Sequence, residues 1–150
     1  MGLFDFLFRK NKMTLGQANK VNQEFISMNP EPKNDEDSLM RQASSAMTGK
    51  DFEKSIILYQ KLVNDYPDNK GLYLSQIGAA YFFLNEFNLA IEYYVKARDN
   101  GADNNMMDDN IWEACEAIYK NDNDKTVIEM YLEYYPNGSY VKKAQKMMSK

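Results

Sequence analysis

Phe52–Pro67 reads FEKSIILYQKLVNDYP, and Phe87–Ala102 reads FNLAIEYYVKARDNGA, 35 residues further along. Aligned position by position, Ser55 meets Ala90, Ile56 meets Ile91, Tyr59 meets Tyr94 and Leu62 meets Ala97. Small and apolar residues recur at helical spacing with an aromatic between them, the pattern of a buried helix face. A repeat of this length holds two short helices, and such a unit buries its apolar side only by stacking on a neighbour.

Working outward, the breakers fall at regular intervals. A helix over 37–48 ends at Gly49, and one over 51–65 stops before Pro67. A helix over 71–84 turns through Asn85 and Glu86, and one over 87–99 ends at Asn100 and Gly101. A third, less regular pair is predicted over 106–120 and 125–135. There Tyr135 and Pro136 copy Tyr66 and Pro67. A last helix within 138–149, with Ser139 as its cap, would turn Ala144, Met147 and Met148 inward and Lys142, Lys143 and Lys146 outward. A polar-backed helix of this kind is what the end of a stacked array requires.

Before the repeats, Leu3, Phe4, Leu7 and Phe8 share one helical face, and Phe6 adds a fifth large apolar side chain. Thr14 and Gln17 form a capping box for a helix running to Met28, and Asn29–Asp37, with Pro30 and Pro32, breaks it. The organisation predicted is a helical extension and linker over 1–35 and a repeat domain over 36–150. The fold class is all-α: a solenoid of about three helical hairpins, a C-terminal capping helix and an N-terminal helical extension.

Composition agrees. Of 150 residues 44% are hydrophobic and 13% aromatic, with 7 Gly and 4 Pro, which suits a helical core. The net charge of −4 opposes a nucleic-acid partner, because phosphate binding needs a basic face. Charge is uneven: Arg9, Lys10, Lys12 and Lys20 make the start basic, whereas Asp99–Tyr119 holds six acids and no base. The single cysteine, Cys115, lies among Ile111, Trp112 and Ile118 and reads as a core residue in a reducing, cytoplasmic setting. No apolar run reaches the roughly 20 residues that cross a bilayer.

Ile77–Ala97 (IGAAYFFLNEFNLAIEYYVKA) resembles the tetratricopeptide repeat family. Leu74, Ile77, Gly78 and Tyr81 fill the family's first-helix signature, and Phe87, Ala90, Tyr94 and Ala97 its second. Gly78, Ala90 and Ala97 would let helix axes approach while the tyrosines fill the gaps. The flanking units are looser: Leu39, Gln42, Ala43 and Ala46 precede Phe52, Ser55, Tyr59, Leu62 and Pro67 in the first, and the third keeps Pro136. The resemblance covers about residues 36–136.

It implies a partner segment held in a concave groove lined by the first helix of each unit. Carried over by position, the groove residues are Met40, Ser44 and Met47, then Ser75, Ala79, Phe82 and Phe83, then Asp109, Glu113 and Glu116. The basic clamp with which some family members hold a terminal carboxylate is missing, since Met40, Ser44, Asp109 and Glu113 stand in its place. Such a groove favours a protein ligand with apolar and cationic anchors. Leu3, Phe4, Phe6, Leu7 and Phe8, followed by cations, suit either docking on the repeats or attachment to a membrane surface, and docking is preferred because two helical turns bind lipid weakly.

Catalysis is not expected. The chain has no His, no phosphate-cradling Gly-rich loop and no nucleophile beside a base. The Asp/Asn clusters at 103–110 and 121–124 lack calcium-loop spacing, so no metal or cofactor is expected. The functional reading is a non-catalytic protein-interaction module. Its rivals are an acidic immunity- or antitoxin-type protein that neutralises a basic effector, and a peripheral membrane adaptor.

Overall fold

The computed structural model describes residues 35–150, in which seven α-helices and one 3-10 turn are the only regular elements. They are α1 (Asp35–Thr48), α2 (Phe52–Asp65), a 3-10 turn (Pro67–Asn69), α3 (Lys70–Phe83), α4 (Phe87–Asp99), α5 (Asn104–Asp122), α6 (Thr126–Tyr134) and α7 (Val141–Met148). Each helix packs on the next along the chain, so the described residues form three antiparallel hairpins and a closing helix. The expected extension, its capping box and its apolar face lie outside the described residues.

Local chemistry sets the ends. The Asp51 side chain accepts a hydrogen bond from the Lys54 amide at 3.3 Å and starts α2, and Asp103 accepts from the Met106 amide at 2.8 Å and starts α5. Three acids, Asp35, Glu36 and Asp37, occupy the first turn of α1, where the helix dipole favours them. Pro67 and the preceding Tyr66, whose amide still reaches Leu62 O at 2.9 Å, end α2. Lys50, Asn85 and Asn123, one in each hairpin turn, have left-handed backbones with φ of 62°, 61° and 54°.

Packing explains why the second unit is the most regular. α3 lies at the centre of the stack between α2 and α4, and from Tyr73 to Ala80 every residue is buried. Gly78 is required there: a Cβ at this position would come within 2.7 Å of the Tyr94 ring. Tyr94 is 2% exposed and Ala90 and Ala97 are fully buried, so the close approach read from the sequence is the one the fold uses. In the first hairpin Ser55 is buried where Ala90 stands in the second, and its hydroxyl donates to Ala43 O at 3.2 Å. Gln76 is buried at 2% exposure, and both atoms of its amide lack a hydrogen-bond partner.

Two boundaries differ from expectation. α5 runs 19 residues, Asn104–Asp122, because Asp103 caps it earlier and Asn123 ends it later than the apolar pattern suggested. The closing helix starts at Val141 and Ser139 does not cap it. The Ser139 amide instead donates to the buried Asp108 carboxylate at 2.8 Å, which holds the preceding turn against α5.

Candidate interaction surface

The ten residues placed on the groove by position divide into three groups. Met47, Ala79 and Ser75 are 0%, 3% and 4% exposed, and the Ser75 hydroxyl donates to Leu72 O in its own helix. These three are core residues with no surface to offer a partner. The central helix is enclosed on both sides, so its register turns small side chains into packing contacts. Met40, Ser44 and Phe82 are half-buried, and Phe83 is 40% exposed.

The third group, the acids of α5, is involved with the end of the stack. Asp109 accepts from the Tyr140 hydroxyl at 2.9 Å. Glu116 pairs with Lys143 of α7 at 2.5 Å and more distantly with Lys120 at 3.8 Å. Glu113 is exposed. Asp109 and Glu116 are therefore partly occupied in fastening the cap.

Next to them, Asp108 is 3% exposed and accepts from the Tyr131 hydroxyl at 2.6 Å as well as from Ser139. Tyr131 Oη in turn accepts the Tyr140 amide at 3.1 Å. Trp112 stacks on Tyr140 with centroids 5.2 Å apart and meets Tyr131 edge-on at 4.9 Å. A Cβ on Gly138 would lie 2.5 Å from Tyr131 Oη, so only glycine lets the turn sit this close. Burial and the Asp109 contact push the Tyr140 phenol up to about 12. Asp108 and Asp109, adjacent in the chain, thus form a structural latch.

Asp108 also lines a polar cleft of about 410 Å³, together with Arg98, Asn104 and Tyr135. Arg98 donates to Tyr134 O at 3.2 Å, pairs with Asp99 at 3.1 Å and lies 5.3 Å from the centroids of the Tyr134 and Tyr135 rings. The Tyr135 hydroxyl has no hydrogen-bond partner of acceptable geometry, although Arg98 is near enough to act on it electrostatically. Burial outweighs that cation and raises the phenol's pKa. Arg98 of α4 thus ties the second hairpin to Tyr134 of the third, while Asp108 is held by Tyr131 and Ser139.

An aromatic cluster lies partly exposed at the surface, with Phe83 40% exposed. Phe83 stacks on Phe52 with centroids 5.5 Å apart at 14°, and Phe82 meets Phe83 and Phe87 edge-on at 5.7 and 5.3 Å. Phe82 and Phe83 close α3, while Phe52 and Phe87 open α2 and α4. The four rings therefore form one ridge across the turn side of the first two hairpins. Edge-on and offset pairs of this kind add about 0.5–1.5 kcal/mol each beyond burial, which makes the ridge a preformed platform. Phe52 and Phe87 were not among the expected groove residues. Their equivalence at a separation of 35 residues was the signal that joins them to it.

Cys115 is fully buried, and desolvation pushes its thiol up to about 12, which removes it as a nucleophile at neutral pH. Among the described residues no group of three or more His, Cys, Asp or Glu could hold a metal ion, and no helix is long and apolar enough to cross a membrane.

Successive antiparallel hairpins, closed by a terminal helix and joined by small-residue contacts, define a helical-repeat solenoid. The tetratricopeptide repeat family model matches residues 37–69, which span α1, α2 and the 3-10 turn nearly end to end. Residues 37–69 thus match a tetratricopeptide repeat, and the helical hairpins of the described residues are consistent with that fold, one of protein–protein interaction modules. The match falls on the first unit, whereas the signature residues are densest in the second. Comparison with curated proteins and with solved structures gives no match.

Proposed function

We propose that this chain is a non-catalytic interaction module that holds a partner polypeptide along the first helices of its hairpins, with Phe82 and Phe83 as the apolar anchor point. The observation that carries this reading is the ridge, in which Phe83 keeps 40% of its surface exposed on a rigid base of three other rings. Rigid aromatic anchors give contact area at low entropic cost, which is why they concentrate binding energy. The partner's chemistry follows from charge. Residues 35–150 carry 13 Lys/Arg against 19 Asp/Glu, a net of −6, so Lys or Arg beside one or two large apolar side chains is favoured. A cytoplasmic setting suits the buried, unpaired thiol.

The test is selection of peptides from a random display library on the full chain. Enriched peptides should combine large apolar residues with Lys or Arg. The Phe83→Asp variant should weaken them about 30-fold, the loss of one hot-spot contact. Glu113→Lys should mainly slow association and flatten its salt dependence. Peptides indifferent to Phe83→Asp would overturn the assignment.

The excess of acids also favours a second reading, neutralisation of a basic effector as immunity-type proteins do. In that case the Glu113→Lys loss would exceed the Phe83→Asp loss.

A further inference from the structure

We infer that the polar cleft beside Asp108 is a binding site for an uncharged polyhydroxyl ligand, a pyranose sugar, with Tyr135 and Asn137 among its hydrogen-bonding groups and Tyr134 as its stacking face. The site is separate from the aromatic ridge: Phe87 opens α4 at the ridge, whereas Arg98 lies near the other end of that helix, about 16 Å away at 1.5 Å per residue. The observation that carries the inference is the Tyr135 hydroxyl. Tyr135 is 5% exposed, lines the cleft and leaves its hydroxyl without a hydrogen-bond partner. A phenylalanine would fill the same space without leaving a polar group unpaired, so packing does not account for the hydroxyl. Burial holds the phenol above its ordinary pKa, and at neutral pH it can both donate and accept.

Charge selects the class of ligand. One cation and one anion line the cleft, Arg98 and Asp108, and each already has partners: Arg98 pairs with Asp99, and Asp108 accepts from Tyr131 and Ser139. An anion would meet Asp108, with Asp99 and Asp103 close by, and a cation would meet Arg98, so neither gains from the site. What remains is neutral and two-sided. Asn104, Asn105 and Asn137 line the cleft, and their side-chain amides make no hydrogen bond among the described residues. Each amide offers an acceptor beside two donors, which matches hydroxyl groups that donate and accept in turn. Tyr134 adds a ring that is 41% exposed, against which the C–H face of a sugar can lie. The volume of about 410 Å³ falls within the roughly 300–1,000 Å³ of small-ligand sites. The latch holds the turn before α7 against α5, so the backbone carrying Asn137 is fixed before a ligand arrives.

The test is saturation-transfer difference NMR on the full chain with the methyl glycosides of glucose, galactose and mannose and with N-acetylglucosamine, beside acetate and inorganic phosphate. At least one of the sugars should show transfer, with a dissociation constant on the order of 1 mM, as suits a ligand of this size in an open site. Tyr135→Phe should weaken it about tenfold, the loss of one hydrogen bond, and Asn137→Ala by a similar factor. The same Tyr135→Phe chain should unfold in urea at the parent's midpoint or above it, because the hydroxyl it lacks was unpaired. That combination separates a binding group from a structural one. No transfer from any of the four sugars overturns the inference, as does equal binding by Tyr135→Phe, an earlier urea midpoint in that variant, or a response to acetate or phosphate alone. The cleft shares no residue with the ridge, so failure of the peptide selection and failure of sugar binding are independent results.

Discussion

Removing the Asp108 carboxylate should release the end of the stack. In Asp108→Ala the Tyr131 hydroxyl loses its acceptor at 2.6 Å and the Ser139 amide its acceptor at 2.8 Å, at a site only 3% exposed. Each hydrogen bond to a charged group is worth about 1.5–3 kcal/mol, a gross loss of about 3–6 kcal/mol. Deleting a buried charge recovers part of its desolvation penalty, so a net loss of about 3–4 kcal/mol is expected. That is a large share of the roughly 5–15 kcal/mol that stabilises a domain. Asp108→Asn keeps one acceptor but turns an amide donor toward a second donor, so about half the loss should remain. Urea unfolding followed by far-UV circular dichroism gives these differences, and a double-mutant cycle with Tyr131→Phe isolates the shared contact, expected to couple by at least about 1 kcal/mol. The reasoning fails if Asp108→Ala unfolds within about 1 kcal/mol of the parent, or if Asn proves as costly as Ala.

Gln76→Met removes an amide that is buried without a partner while keeping a similar volume. It should raise stability by about 1–2 kcal/mol in the same assay, and a loss would show that the amide is satisfied. Cys115 should resist iodoacetamide at pH 8 in the folded chain and react readily in urea; rapid native labelling would contradict its burial. Because the folded thiol is raised from 9.0 to about 12, the unfolded chain gives up this proton first. The contribution is fully present below about pH 9 and is lost as pH rises toward 12. The raised Tyr73, Tyr131 and Tyr140 phenols act in the same direction above their ordinary value of 10.0. Urea midpoints should therefore fall through this alkaline range, with an earlier onset in the parent than in Cys115→Ala.

The hairpins were legible because the residues that build them act through spacing. Gly78, Ala90, Tyr94 and Ala97 state the helix–helix contact in one unit, and Pro67 and Pro136 mark where second helices stop. Cys115 read as core from its apolar neighbours alone, and it is. The latch was not legible. Asp108 looks like any acid early in a helix, and its partners Tyr131 and Ser139 stand 23 and 31 residues away. Met47 and Ser75 were misleading for a related reason. Family position gives the direction of a side chain, whereas burial depends on how closely the next helix packs. The platform under Phe83 needed both Phe52 and Phe87, whose role emerges only when two hairpins are side by side.

The three left-handed turns measure the units from within the backbone. Lys50 and Asn85 are 35 residues apart, but Asn85 and Asn123 are 38 apart: α5, with 19 residues, is five longer than α3, partly offset by α4, which has 13 residues where α2 has 14. The longer helix still packs along α4 before it and α6 after it. The third unit could thus be lengthened without losing its seat on the second. A search tuned to a fixed period would lose register at that point, even though the helices continue to stack.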